Sequence, residues 1–154
     1  MRQAIKLSTD QMRLISLFQN ITKATARDCL DDEKQDKIIF VVSECKMVLA
    51  IGKGGSNIKS LQNILKRDIE LIEYFDDPIK FLKNILNPKF VNEIKLDVRS
   101  DGSSQATVIV DHGKKGLVVG REGRNAERAR LFAKKYFDIS TILINSPPVT
   151  QLEM

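Results

Sequence analysis

The sequence predicts an α+β fold in which one α-β-β-α-α-β unit occurs twice. The motif Gly-x-x-Gly-x-Asn follows an apolar run at residues 52–57 and again at residues 120–125, and the two copies begin 68 residues apart (120 − 52). Around each copy, helical and strand-like hydrophobic patterns follow one another in the same order. Each unit is therefore expected to form a three-stranded sheet packed by helices.

The first unit is expected to start with a helix over residues 9–20. Ser8 and Gln11 have the spacing of a capping box, and apolar residues recur after them at helical spacing. A weakly β-leaning segment over 22–30 and a β-branched run over 37–42 predict two strands around an acidic turn. The remaining elements are predicted as a short helix, a longer helix and an alternating strand, over residues 46–51, 56–66 and 68–74.

The second unit repeats this order. Asp76, Asp77 and Pro78 are typical of a helix start, and Asn87-Pro88 is expected to end that helix. The elements that follow are predicted as two strands around a turn, a short helix, a longer helix and a last strand, over residues 91–99, 105–111, 114–119, 124–136 and 139–144. These patterns divide the chain into a first domain, a second domain and a loose tail, over residues 7–75, 76–145 and 146–154.

Length and composition favour a globular cytoplasmic protein. The 154 residues allow two units of about 70 residues each. The chain has no apolar run of the ~18 residues that a membrane-spanning helix needs, and residues 1–6 lack the apolar core of a secretory signal. Cys29 and Cys45 fit no metal-ligand spacing, so we expect reduced thiols and no metal site.

Positive charge is concentrated around the second motif. The chain carries 25 Lys and Arg against 20 Asp and Glu, a formal charge of +5. Residues 113–135 alone carry eight basic and two acidic residues, a balance of +6 (8 − 2), which accounts for the whole excess. Such a cluster can be simply a solvated surface, but around a glycine loop it favours a polyanionic ligand.

The paired glycines indicate phosphate binding. Glycine lets the backbone turn sharply and approach a bulky ligand, and amides at the start of a helix attract anions. We expect one phosphate at each loop, held by the backbone amides of residues 54–56 and 122–124. Lys53 and Arg121 would add positive charge from the loop tips.

Bases are expected to lie in an apolar groove between the helices that flank each loop and the neighbouring strand. Candidates for its floor, most of which the core would need in any case, are Val48, Ile51, Ile58, Val118, Val119 and Ala126. Asn57 and Asn125 occupy the same place in each copy and suit either a turn cap or a base contact. A basic stripe on one helix face, which either RNA or ion pairing with Glu127 would explain, consists of Arg124, Arg128 and Lys135.

Five segments, in order along the chain, carry a resemblance to a known family. They are Arg27-Asp28-Cys29-Leu30, residues 38–42, residues 49–55, Asp76-Asp77-Pro78 and residues 120–125. They resemble the archaeal NusA-like proteins, tandem KH transcription factors related to the RNA-binding core of bacterial NusA, and the resemblance extends over roughly residues 7–144. Two strands precede each loop and one follows it, which is the order of prokaryotic (type II) KH domains.

The resemblance implies binding of single-stranded RNA in transcription elongation or termination, because KH domains clamp the nucleic-acid backbone with a Gly-x-x-Gly loop. RNA contacts are expected from both loops and their neighbours: Ile51, Gly52, Lys53, Gly54, Gly55, Ser56, Asn57, Ile58, Val119, Gly120, Arg121, Glu122, Gly123, Arg124, Asn125 and Arg128. We expect a monomer without a cofactor, with RNA polymerase and the ribosome open as further partners.

Other functions stay open beside this one. A KH protein of rRNA processing or ribosome assembly would have the same chemistry with another target, and a protein-interaction adapter for RNA polymerase would not need the loops. An enzyme is not expected, because the single histidine, His112, suits a turn and the first loop lacks the Lys-Ser/Thr of a nucleotide-binding P-loop.

Three features depart from the family pattern. Glu122 places an acid inside the second loop, where it would weaken a phosphate contact. Ala126 stands where the first copy has the bulkier Ile58, which would reshape the groove floor. The chain also has no room for the polymerase-binding and OB-fold domains of bacterial NusA, so we do not expect polymerase contact by the bacterial route.

Overall fold

The computed structural model describes residues 7–146, and the chain divides between Phe75 and Asp76 into two compact units. The first unit contains, in order, helix α1 (Thr9–Thr22), strands β1 (Ala26–Asp32) and β2 (Lys37–Val42), helices α2 (Met47–Ile51) and α3 (Ser56–Leu65), and strand β3 (Asp68–Glu73). A single turn of 3-10 helix, Lys53–Gly55, joins α2 to α3.

The second unit repeats the order. It contains helix α4 (Pro78–Ile85), strands β4 (Val91–Val98) and β5 (Ser104–Val110), helices α5 (Lys115–Val119) and α6 (Arg124–Phe137), and strand β6 (Ile139–Asn145). Short 3-10 turns lie before β4 and between α5 and α6, at Pro88–Phe90 and Arg121–Gly123. The tail predicted for residues 146–154 lies, except for Ser146, outside the described residues.

Both sheets have the same topology. In the order β1-β2-β3 the first pair is antiparallel and the second pair is parallel, and β4-β5-β6 follows the same rule. The parallel pairing requires a crossover between the second and third strands, and the two helices flanking each glycine loop supply it. The predicted α+β fold of two α-β-β-α-α-β units is confirmed.

Local signals in the sequence set the first helix of each unit. The Ser8 Oγ accepts from the Gln11 amide at 3.1 Å and the Gln11 side chain accepts from the Ser8 amide at 2.9 Å, which forms the predicted capping box of α1. In α4 the Asp77 carboxylate accepts from the Ile79 amide at 2.9 Å, and Pro78 occupies the first helical position.

Strand β1 starts later than the sequence predicts. Helix α1 continues to Thr22, whose hydroxyl donates to the Phe18 carbonyl at 2.9 Å, and the left-handed Lys23 then ends the helix. The strand also runs through residues that the sequence assigned to the acidic turn. Arg67 forms ion pairs with Asp31 at 2.6 Å and with the turn residue Asp36 at 3.1 Å, and the hydrogen bond that it donates to Asp31 is the main cause that raises the pKa of Arg67.

The cores hold the loop-flanking helices against the sheets. In the first unit the rings of Phe18 and Phe40 stack with centroids 4.5 Å apart, and Ala50 of α2 is buried near them. In the second unit Val118 of α5 is likewise fully buried, so it belongs to the core and not to the groove floor. Each short helix is thus anchored beside the loop that follows it, and the tip residues of both loops, 53–54 and 121–122, are exposed.

Candidate nucleic-acid interface

The first position of each loop accepts only glycine, both because of its backbone angles and because a neighbouring side chain lies against it. Gly52 and Gly120 lie at φ/ψ of 78°/169° and 85°/169°, a region that essentially only glycine adopts. A Cβ atom on Gly52 would lie 2.8 Å from the Asn57 side chain, and one on Gly120 would lie 2.8 Å from that of Asn125. Neither position has room for another residue.

The asparagine of the first motif fixes the loop from the inside. Its Nδ2 donates to the Leu49 carbonyl at 3.0 Å, so Asn57 ties the start of α3 to the end of α2. This contact supports the turn-capping interpretation of Asn57. A base contact by Asn57 or Asn125 stays a prediction.

The other two special positions of each loop are left-handed. Gly54 and Glu122 lie at φ/ψ of 62°/23° and 55°/26°, and the closing glycines, Gly55 and Gly123, lie at 77°/17° and 73°/17°. A Cβ atom on Gly54 would meet nothing within 4 Å, and Glu122 shows that a side chain is accommodated there. The backbone of the two loops is thus nearly identical, although the residues at the tip differ.

Part of each loop's hydrogen-bonding capacity is used internally. In the first loop the amide of Gly55 donates to the Gly52 carbonyl at 3.1 Å, and the amide of Ser56 donates to the Lys53 carbonyl. The second loop repeats both bonds. The 3-10 turn that closes each loop thus engages the amides of Gly55 and Ser56, and of Gly123 and Arg124, and phosphate binding by these amides stays a prediction.

The loop tips keep donors that these internal bonds do not use. They are the amides of residues 53 and 54 in the first loop and of residues 121 and 122 in the second, and all four residues are exposed. Each tip precedes the N-terminus of a helix, α3 or α6, where the helix dipole favours an anion. The exposed side chains of Lys53 and Arg121 add a cation to each tip.

The basic stripe predicted on α6 is interrupted. Arg128 is only 8% exposed, because this turn of the helix faces the second unit's core. Arg124 is held by two carboxylates, Glu122 at 3.4 Å and Glu127 at 3.3 Å. Lys135, the third predicted residue, is half-buried.

A cavity of about 340 Å³ lies beside the second loop, between α5, α6 and β6. Val119, Gly123 and Ala126 line it, as the sequence predicts for Val119 and Ala126. The other lining residues are Lys115, Arg130, Ile142, Leu143, Ile144 and Asn145. The cavity therefore combines an apolar floor with two cations and an amide, a lining suited to a nucleobase.

The sequence reasoning missed the polar residues of this cavity. Arg130 lies one helical turn after Ala126 on the same face of α6, so the i, i+4 rule could have identified it. Lys115 lies one turn before Val119 in α5. Asn145 had no comparable signal, because its place depends on the length of β6.

In the first unit the proposed floor residues have unequal exposure. Val48 is 87% exposed, whereas Ile51 and Ile58 are half-buried on either side of the first loop. An apolar side chain as open as Val48 is available to a ligand, but it forms no groove by itself. A groove floor formed by Ile51 and Ile58 stays a prediction.

The described part of the chain has neither a cluster of potential metal ligands nor a helix able to span a membrane. Across residues 7–146, no three His, Cys, Asp or Glu side chains are grouped as a metal ion would require. In the same range no helix combines the length and hydrophobicity needed to cross a bilayer. His112 is exposed in the turn between β5 and α5.

Comparison with known proteins places this geometry in a family. The KH domain family model matches residues 13–99, which is more than half of the chain. A probable transcription termination protein NusA from Halobacterium salinarum is 36% identical over 138 residues, 90% of this chain and 96% of that protein. Its counterpart from Methanococcus vannielii is 33% identical over 141 residues, 91% of this chain and 79% of that protein.

Bacterial and structural relatives agree with this result. The transcription termination/antitermination protein NusA of Mycobacterium bovis is 30% identical over 99 residues, which is 64% of this chain and 28% of that protein. The crystal structure of APE1850 matches with a TM-score of 0.78 at 36% identity, covering 90% of this chain and all of that one. The chain therefore belongs to the KH-domain proteins and, among them, to the archaeal NusA-like family.

Proposed function

We propose that this chain binds single-stranded RNA through both glycine loops and acts in transcription elongation or termination as a NusA-like factor. The observation that carries the proposal is the loop tip. Each tip combines exposed amides outside the loop's internal hydrogen bonds, an exposed Lys or Arg and the N-terminus of a helix. Together these groups form a site for one backbone phosphate.

The cavity of the second unit supports RNA over a free anion. A phosphate bound at the second loop tip would leave the attached nucleotide beside an apolar space that Lys115 and Arg130 border. The relatives' names supply the process, since they are transcription termination proteins. We propose the cytoplasm as the location and RNA polymerase as a protein partner on the same ground.

The experiment measures RNA affinity of the full chain by fluorescence anisotropy with a labelled single-stranded oligonucleotide. Three or four neutralised phosphates predict a slope of log affinity against log salt of about −2 to −3, at ~0.7 per phosphate. The double variant Lys53→Asp with Gly54→Asp should weaken binding about tenfold or more, because it reverses the charge at the first tip. Arg121→Asp with Glu122→Asp should also weaken it.

A matched control is available in the same unit. Lys34 lies in the hairpin turn at the other end of β2 from the loop, and Asn63 lies near the end of α3 on that side. Lys34→Asp with Asn63→Asp makes the same formal change of about −3 as the first loop variant (−2 for a lysine and −1 for a neutral residue). Unchanged binding after both loop variants, or equal loss in the control, would contradict the proposal.

A further inference from the structure

The two loop sites carry different charges on the same backbone. At the two tip positions and the first turn of the following helix, the first copy has Lys53 and Lys59 and no acid. The corresponding positions of the second copy carry two cations and two acids: Arg121, Glu122, Arg124 and Glu127. The formal charge is thus +2 at the first site and zero at the second (2 − 2).

Ion pairs in the second loop place the acids outermost. The Arg124 guanidinium lies 3.4 Å from Glu122 and 3.3 Å from Glu127, and its side chain is 12% exposed against 71% and 60% for the two glutamates. A ligand that approaches the loop from solvent therefore meets the carboxylates before it meets the arginine. Such a surface attracts a phosphate less strongly than the first tip, which carries no acid.

Glu122 also holds a position that the backbone offers to glycine. Its φ of 55° is left-handed, a conformation that is unfavourable for a non-glycine residue, and the first loop has Gly54 there at 62°. The amide of Glu122 is one of the two donors left at the tip, so its carboxylate stands next to the place where a phosphate would bind.

We infer that Glu122 makes the second loop the weaker phosphate site, by screening its tip and by holding Arg124 away from the ligand. The first loop then supplies most of the phosphate affinity, and the second unit contributes through its cavity. This inference rests on the proposed function, since it assigns unequal shares of RNA binding to the two loops.

The test exchanges the residues at the shared position. Glu122→Gly and Glu122→Gln should each tighten binding of a single-stranded RNA oligonucleotide about three- to tenfold, and the salt slope should steepen by roughly 0.7, because about one more phosphate is neutralised. Gly54→Glu should weaken binding by a similar factor. Glu93→Gln is the matched control, because it removes one acid from the exposed face of β4, at the sheet edge opposite β6.

Each outcome decides the question. If the wild-type chain binds RNA and the Glu122 variants bind equally well, the inference is wrong and the proposed function stands. If Glu93→Gln tightened RNA binding by the same factor, the cause would be the net charge of the chain. If Glu122→Gly tightened RNA binding and Glu122→Gln did not, the cause would be the backbone conformation at residue 122. Either result would overturn the role of the Glu122 charge. Absence of RNA binding by the wild-type chain and all variants would remove the proposed function as well.

Discussion

The two glycine loops have one backbone and two chemistries. Their φ and ψ angles agree to within about ten degrees at the first glycine and at the left-handed tip residue, while that tip residue is Gly54 in one loop and Glu122 in the other. The first glycine and the asparagine pack together in both loops. The comparison teaches that the first glycine and the asparagine determine the backbone conformation of the loop. The side chains at the tip can therefore vary, and they set the strength of the phosphate site.

The largest effect on stability is expected at the first glycine, where the two loops have the same conformation and the same contact. Gly52→Ala should lower the free energy of unfolding by more than about 2 kcal/mol, because it forces a Cβ against Asn57 in a region that only glycine adopts. Gly120→Ala should cost as much, since its conformation and contact are the same. Urea denaturation measures both.

The control for this prediction is the open tip position. Gly54→Ala meets nothing within 4 Å and should cost only about 1 kcal/mol, the price of a left-handed residue. If Gly120→Ala proved harmless while Gly52→Ala was damaging, the claim that both loops depend on the same packing would fail.

A smaller effect, on RNA affinity, is expected at residue 126, where the second unit has Ala and the first unit has Ile58. Ala126→Ile copies the residue of the first unit and places extra carbon atoms into the cavity of about 340 Å³. RNA affinity should fall about three- to tenfold, or roughly 1 kcal/mol. Because Ala126 is only 2% exposed, its neighbours must also accommodate part of the larger side chain, so the melting temperature should fall as well. Anisotropy titration and a melting curve measure the two quantities.

Leu131→Ile provides the comparison for that variant. Leu131 is an exposed residue of the same helix and does not line the cavity, so this change introduces a β-branched residue without filling the groove. RNA binding by Ala126→Ile at the wild-type affinity would show that the cavity takes no part in recognition, and the second unit would then lack a role beyond its loop.

Hydrophobic pattern and loop spacing were enough to predict the order of elements. Strand β2 has the predicted bounds, 37–42, because its β-branched residues have no competing helical pattern. The start of β1 was missed because α1 continues to Thr22 and ends at the left-handed Lys23, and no periodic signal in the sequence marks that end. Propensity thus locates elements well and their ends less well.

The site was predicted less completely than the fold. The spacing of glycines located both loops, but the internal bonds of the amides of Gly55 and Ser56 follow from backbone angles that the motif does not specify. The burial of Arg128 depends on how α6 is rotated against its sheet. Lys115 and Arg130 join the cavity only once α5, α6 and β6 are packed.

The central claim is that loop-tip amides hold RNA phosphates, and an amide-resolved NMR titration of the full chain tests it most directly. With a single-stranded RNA oligonucleotide we expect the largest shift changes at Lys53 and Gly54 and smaller ones at Arg121 and Glu122. Changes confined to residues away from both loops, with all four tip amides unmoved at saturation, would contradict the account.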